Sequence, residues 1–569
     1  MMARAAAPAI PNVVILLANN VRTDDLSCYN PDTPAPTPNI DRLAAGGVLL
    51  RHHTVPALTP TANRAAHLTG QMPTRYGLQE SEQGVRQILH TLSRAGLPNS
   101  TLTYADLLKK SGYRTKAAGG WELGWACESW ADACHSPLKH GFDSFHGVPL
   151  SVSISEPEQL EESLLPTMQE LNAYLEVMAN QSAVRSIYRP IAEAAWYQWL
   201  AQVVTSGGSL REQARLTAEL QQKLDLLLVR DDAVARWPYS LQGMTLPILF
   251  ESLEFIKSSK RAGKPFLLQH SFLHVHDPPV TAPHRVGNSG VNAYYDSVLE
   301  LDWAVGRVLD HLEELELLDD TIVYFASDFN DLMSYPPKTS NITDARVPGM
   351  FMYRGLMKPH VLHRPTSVLD LLPTVVDVIG KGAELLSMEL DGRSLFFPML
   401  TQGENSQRYH YSYRGDDLDS VTIVSEDETD PTIFKLYITK GCQLCKETTL
   451  LYNLTADPYQ TEAIGPETPT FNQVVEDMRA NLFAVPTVPS QLADFWRVMP
   501  LPPLFPWAQA AAYRAGVDPA GPAYLYSFLE ADVVFAQEPG SDERAGGAAS
   551  ELDPSLPTFY RLAHREVPV

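Results

Sequence analysis

The stretch PALTPTANRAAHLTGQMP, residues 56–73, has the form of a reactive turn without its reactive atom. Arg64 to Gly70 reads as the start of a helix of the kind that presents a nucleophile. The residues ahead of it include no cysteine and no serine. A nucleophile needs a side-chain heteroatom that a base or a metal can activate. Thr59 and Thr61 are the nearest hydroxyls, and they flank a proline, Pro60. A second candidate chemistry is Cys442-Gln443-Leu444-Cys445, a C-x-x-C pair. One such pair is weak evidence for zinc, because a structural site usually takes four ligands. Cys127 and Cys134 are spaced for a small local loop, bridged or not. The total of five cysteines leaves at least one unpaired within the chain.

The elements that would position these residues alternate between strand and helix. Val13 to Ala18 is a continuous apolar run and predicts a strand buried on both faces, as in a parallel sheet. Pro38 to Ala45 predicts a short helix ended by Gly46-Gly47, and Arg64 to Leu68 one that stops at Gly70. Leu102 to Lys110 predicts a helix with Gly112 as terminator, followed by a strand at Tyr113 to Ala118. Phe266 to Phe272 predicts a buried strand that leads into HVHD. Val298, Leu301, Val305, Val308, Leu312 and Leu315 recur at spacings of three and four, the mark of an amphipathic helix. Thr321 to Ala326 predicts a strand ending at Ser327-Asp328. This order implies a mainly parallel α/β sheet over residues 11–400, with chemistry at the carboxyl ends of its strands.

Residues 151–260 interrupt that order and read as a helical insert, amphipathic and charged. From about 405 to 480 short alternating segments such as TIFKLYITK predict a small antiparallel unit. Residues 495–569 are rich in Pro, Ala and Gly yet carry aromatics such as Trp507, Tyr524 and Tyr560. That composition suits a segment lying along a surface, its own or a partner's, rather than a purely disordered tail.

The 569 residues are 44% hydrophobic and 20% charged, with a formal net charge of −23, which argues against non-specific nucleic-acid binding. No stretch reaches the roughly 18 apolar residues of a membrane-spanning helix. The N-terminal MMARAAAPAIPNVVILLA offers no intact secretory signal, since its apolar run follows Pro11-Asn12 and reads as a strand. A short Arg/Ala-rich organellar leader stays open, and an intracellular location is favoured over secretion. Without a signal, the sequons at Asn99, Asn180, Asn341 and Asn453 imply no glycosylation.

Several ordered motifs together carry a resemblance. PNVVILLANNVRTDDLSCYN, TPNIDRLAAGGV, RAAHLTGQMPTRYGL, GWELGWACESWADACHSPLKHGFDSFHG, FLLQHSFLHVHD, FASD, RVPG and LLYNLTADPYQTE resemble the sulfatases, and most of all the steryl-sulfatase-like arylsulfatases. The resemblance implies an alkaline-phosphatase-like fold. It also implies a chemistry in which the cysteine of a C-x-P-S-R motif becomes formylglycine, whose hydrate attacks sulfur. A calcium ion held by three carboxylates and an amide would neutralise the sulfate oxygens, with lysines and histidines adding charge and a proton.

Laid on that pattern, Pro60 to Arg64 falls on C-x-P-S-R, with Pro60 at the nucleophile position. An alternative alignment puts Leu58 there, which is equally inert. The tandem aspartates after the first strand are Asn19 and Asn20, and the later Asp-Asn pair is Asp328-Phe329. In the motif that reads G-K-W-H-L-G in the family, lysine has become Gly120 and histidine has become Glu122. Lys338 has no recognisable context, while Arg64 and His276 do match family positions.

These residues lead to an expected pseudoenzyme, a structural or interaction subunit of a larger assembly with neither calcium nor formylglycine. Protein partners would be met through residues 151–260 and 495–569. Arg64, His276 and Asp328 would persist as structural groups, and Asn19-Asn20 would fill the volume of two aspartates without a metal. The competing readings are a sulfuric ester hydrolase or related phosphoesterase with an altered site, and a binding module that keeps a pocket without turnover.

Overall fold

The computed structural model describes residues 10–79, 89, 95–125, 127, 132–149, 228–236, 241–276, 279–329, 345–403, 409–414, 417–425, 431–439, 448–457 and 460–481. In chain order the strands are β1 (Asn12–Asn19), β2 (Val48–Leu50), β3 (His53–Thr54), β4 (Arg114–Gly120), β5 (Ser144–Val148), β6 (Leu228–Arg230), β7 (Ala233–Arg236), β8 (Phe266–Val275), β9 (Thr321–Ser327), β10 (Gly349–Met352), β11 (His360–Leu362), β12 (Thr366–Ser367), β13 (Tyr409–Arg414), β14 (Asp417–Val424), β15 (Ile433–Thr439) and β16 (Thr448–Asn453). The helices are α1 (Pro38–Ala45), α2 (Pro60–Thr69), α3 (Tyr104–Lys110), α4 (Thr245–Ala262), α5 (Ala293–Glu314), α6 (Leu371–Val378), α7 (Phe396–Thr401) and α8 (Pro469–Asn481).

The main sheet runs β11-β2-β10-β9-β1-β8-β4-β5-β6-β7, and the strands from β9 to β5 in that order are all parallel. Antiparallel pairings flank this centre: β10 with β9 and β2, and β6 with β5 and β7. β1 is buried along its whole length, which is why its sequence is apolar rather than alternating. α4 packs on β4 and β8 and α5 on β8, through Ile248, Phe255, Val298, Leu301, Val305 and Leu312 of one hydrophobic cluster. α5 starts five residues before the expected Val298, where the Asn292 side chain accepts from the Tyr295 N–H and caps it.

Three expectations change in detail. α2 begins at Pro60, not Arg64, with the proline in the first turn, where its missing N–H costs nothing. Its end is as expected: Gly70, at φ 65°, donates to the Ala66 carbonyl at 2.9 Å. β8 extends beyond Phe272 to Val275. The third change concerns the insert. Residues 228–236, expected to be helical, form the β6–β7 hairpin at the sheet edge, turning at Asp231 in a left-handed conformation (φ 58°). The stretch Leu228–Arg230 suits a strand as well as a helix by composition, and pairing with β5 decides between them. Residues 151–227 lie outside the described residues.

Sheet β13-β14-β15-β16 is antiparallel, as expected for the C-terminal unit, and α8 covers one face through Phe471, Val474 and Met478. Cys442, Cys445 and the 495–569 segment lie outside the described residues, as does Lys338.

Candidate functional site at the carboxyl ends of the central strands

β1 and β9 are adjacent and end together, Ala18 opposite Ser327. The chain leaves β1 through Asn19 and Asn20, the latter in the left-handed region (φ 62°), which asparagine tolerates better than most residues. Asp328 is pinned beneath that turn. Its N–H donates to the Ala18 carbonyl (2.9 Å), and its Oδ1 accepts from the Asn20 N–H (3.4 Å). Val21 N–H donates to the Ser327 hydroxyl, which in turn donates to the Phe329 carbonyl. Asn19, Asn20, Asp328 and Phe329 are all buried. The β1–β8 register pairs Asn19 with Val275, so His276 emerges at the same strand ends, half-buried and at φ 66°.

α2 brings the opposite wall. Asn63 braces the preceding loop by bonding both the N–H and the carbonyl of Ala57, at 3.0 and 2.9 Å. One turn after Pro60 stands Arg64, only 2% exposed. Its Nε donates to Asp328 Oδ2 at 2.7 Å, and its Nη2 lies 3.2 Å from Glu122 Oε1, an ion pair rather than an aligned hydrogen bond. Its Nη1 donates to the Gly120 carbonyl. The guanidinium is thus spent on two carboxylates and a main-chain oxygen. A Cβ at Gly120 would lie 3.0 Å from Arg64 Nη1 and 3.1 Å from Glu122 Oε1, so a side chain there would make this ion pair give by a few tenths of an ångström.

Burial pushes the Asp328 carboxyl up to about 6; Arg64 opposes that shift and Glu122 adds to it. Burial works against the Arg64 charge, but Glu122 and Asp328 more than restore it, so the guanidinium stays charged. His67, one turn further along α2, is pushed down to about 3 by burial and by Arg64 and is neutral. Its ring packs edge-on to Tyr324, 6.0 Å between centroids.

The structure therefore gathers Asn19, Asn20, Arg64, Gly120, Glu122, His276, Asp328 and Phe329 at one set of strand ends, with Pro60 one turn before Arg64 on α2. Sequence reasoning missed His67, whose i+3 spacing from Arg64 was the available signal. It also missed the Gly120 carbonyl, for which side-chain chemistry gives no signal. Among the described residues, the His, Cys, Asp and Glu side chains that converge as three possible metal donors are elsewhere, at Cys127, Cys134 and His135.

A parallel α/β sheet of this order, with polar side chains converging at its carboxyl ends and a small antiparallel C-terminal sheet, defines the alkaline-phosphatase-like fold. The Sulfatase family model matches residues 11–381, and the chain belongs to the sulfatase family. It is 29% identical to human arylsulfatase H over 88% of this chain and 95% of that protein. It is 31% identical to mouse steryl-sulfatase over 88% of this chain and 86% of that protein. Among solved structures, the PsFucS1 sulfatase from Pseudoalteromonas sp. superposes with a TM-score of 0.61 at 22% identity, covering 84% of this chain and 91% of the other.

Proposed function

We propose that this sulfatase-family chain no longer hydrolyses sulfate esters and serves as a structural or interaction subunit of a larger assembly. The observation that carries the reading is the Arg64–Glu122–Asp328 cluster, in which the side chain best suited to bind an oxyanion is held instead by two internal carboxylates. A sulfate at Arg64 would face the like charges of Glu122 and Asp328. At the family's nucleophile position Pro60 has no atom to attack with, and no formylglycine can be made from it.

The donor set does not fit a calcium ion. Asn19 and Asn20 bring amides, Phe329 brings no ligand atom, and Asp328 already accepts the Arg64 Nε–H. Calcium favours several anionic oxygens to offset its dehydration. A guanidinium beside the one remaining carboxylate supplies that positive charge permanently. Protein partners would be met through residues 151–260 and 495–569, the segments in which the chain is charged and amphipathic or aromatic-bearing.

Purified full-length protein assayed with an arylsulfate, alongside metal analysis, tests the reading. The expected result is no turnover above the uncatalysed rate and substoichiometric calcium. Turnover that is lost on Arg64→Lys or His276→Ala would overturn it. Purification of the native protein from its source tests the second half, with elution in a complex of fixed stoichiometry as the expected result and elution as a free monomer against it.

A further inference from the structure

The fold treats the sequons at Asn99, Asn180, Asn341 and Asn453 differently. Asn180 and Asn341 lie outside the described residues. Asn453 ends β16 half-buried, in register with Phe434 of β15. Its Oδ1 accepts from the Thr455 and Ala456 N–H groups at 3.0 and 3.1 Å, so the carboxamide is built into the turn that leaves the strand.

Asn99 is placed the other way, at the tip of a connection held firmly at both ends. Leu97 is buried, its N–H donating to the Leu123 carbonyl at 2.9 Å and its own carbonyl lying 2.7 Å from His135 Nδ1. Thr103 is buried too and caps α3, its Oγ1 accepting from the Asp106 N–H at 3.1 Å. Between these anchors the Thr101 N–H donates to the Pro98 carbonyl at 2.9 Å and closes a turn. Asn99 and Ser100 are its two central residues, and both are exposed. A group attached to Asn99 Nδ2 would extend into solvent and displace nothing in the core.

The same chain contains the Cys127–Cys134 disulfide. Such bonds persist in oxidising compartments, among them the lumen in which sequons are modified, and are rare in the cytosol. The bond therefore weighs against the expectation, drawn from the N-terminal residues, that the sequons are silent.

We propose that Asn99 is an N-glycosylation site, with a lipid-diphosphate-linked oligosaccharide as the donor. Asn99 Nδ2 forms a bond to the anomeric carbon of the first sugar and gives up one proton. The bond from that carbon to the diphosphate breaks, and the lipid diphosphate leaves with the electron pair. Thr101 supplies the hydroxyl that completes the sequon. The turn meets the chain at Leu123, just beyond the end of β4, and Arg64 bonds the Gly120 carbonyl at that same strand end. A bulky, solvated glycan on Asn99 thus stands on the side of the sheet that holds the Arg64 cluster. The site does not depend on whether that cluster is catalytic.

The test starts from protein purified from its native source. The peptide containing Asn99 is analysed by mass spectrometry before and after a peptide N-glycanase acts in heavy-oxygen water. A glycopeptide is expected before treatment, and a heavy-oxygen-labelled aspartate at that position after it. Full-length variants expressed in the same source give a second readout, on a gel. Asn99→Gln and Thr101→Ala should each remove one glycan's step in mobility, and Thr101→Ser, which keeps the sequon, should retain it. An unmodified Asn99 peptide in the native protein, or a mobility step that survives Asn99→Gln and Thr101→Ala, would overturn the proposal.

Discussion

Two loops of this protein answer the same problem, polar groups gathered at the carboxyl ends of buried strands, in different ways. At the ends of β1 and β9, Arg64, Asp328 and Glu122 neutralise one another, and what remains is a closed ionic cluster. In the loop after β4, Cys127 and Cys134 are joined covalently, and the Asp132 carboxylate clamps both of their main-chain N–H groups. Salt bridging satisfies the first region only as long as every member stays. Covalent closure makes the second conditional on redox state. A cluster that consumes its own charges is a poor receptor for an external ion, whereas a covalent bond holds its loop whatever the charges nearby.

The largest expected effect breaks the ionic cluster. Arg64→Met leaves two carboxylates facing each other in a buried site, and such uncompensated charge costs about 3–5 kcal/mol, read as a lowered midpoint of urea unfolding. The triple change Arg64→Met, Glu122→Gln, Asp328→Asn removes the charges together and should recover most of that loss. A single Arg64→Met that costs less than about 1 kcal/mol would show that the cluster holds nothing together.

Next comes the covalent closure. Cys127→Ser with Cys134→Ser opens a loop whose ends are seven residues apart, for which chain entropy predicts a loss of about 2 kcal/mol. Because Asp132 and Trp121 hold the loop independently, the cost should not exceed that figure. A much larger loss would mean that the disulfide, not the main-chain clamp, keeps His135 in place.

Each region also buries a neutral histidine. Burial and then Arg64 push His67 down to about 3, and burial and then His135 push His140 down to about 4. Between those values and the ordinary 6.5 the unfolded chain takes up a proton that the folded chain refuses, so stability is lost as pH falls below 6.5. At pH 5 each accounts for at most about 2 kcal/mol of the decline, at 1.36 kcal/mol per unit. The difference in stability between wild type and His67→Gln, or His140→Gln, measured from pH 7 to pH 5, should shrink by about that amount. A difference that stays constant with pH would place the titration elsewhere.

How much of this was legible beforehand depends on the distance over which each feature is decided. The buried strands were readable because burial on both faces writes itself locally, as in Val13 to Ala18. The short strands β2, β3, β10 and β11 were not, since two to four residues acquire strand character only through their neighbours. The β6–β7 hairpin was misread for the same reason. At the site, the structure brings together positions that the motifs single out, Asn19, Asn20, Arg64, Glu122 and Asp328. What the chain could not reveal was its partner: Arg64 and Asp328 are 264 residues apart, and only the sheet brings α2 to the end of β9. The His135 tautomer was equally hidden, because it is set by a carbonyl at Leu97 and not by any side chain.

The smallest expected effect is the sharpest test of the contrast between the two loops. A ligand that binds only the folded state stabilises it by RT ln(1 + [L]/Kd), about 2.7 kcal/mol at a hundredfold excess over Kd. If Arg64 holds the charge that a divalent ion would otherwise supply to Asp328, calcium at millimolar concentration has nothing to offset its dehydration there, and neither calcium nor a chelator should move the thermal midpoint of the oxidised protein by more than about 1 °C. A clear upward shift with calcium in wild type would require the guanidinium to leave Asp328. The strand ends would then be a receptor for an external ion and not a cluster that consumes its own charges.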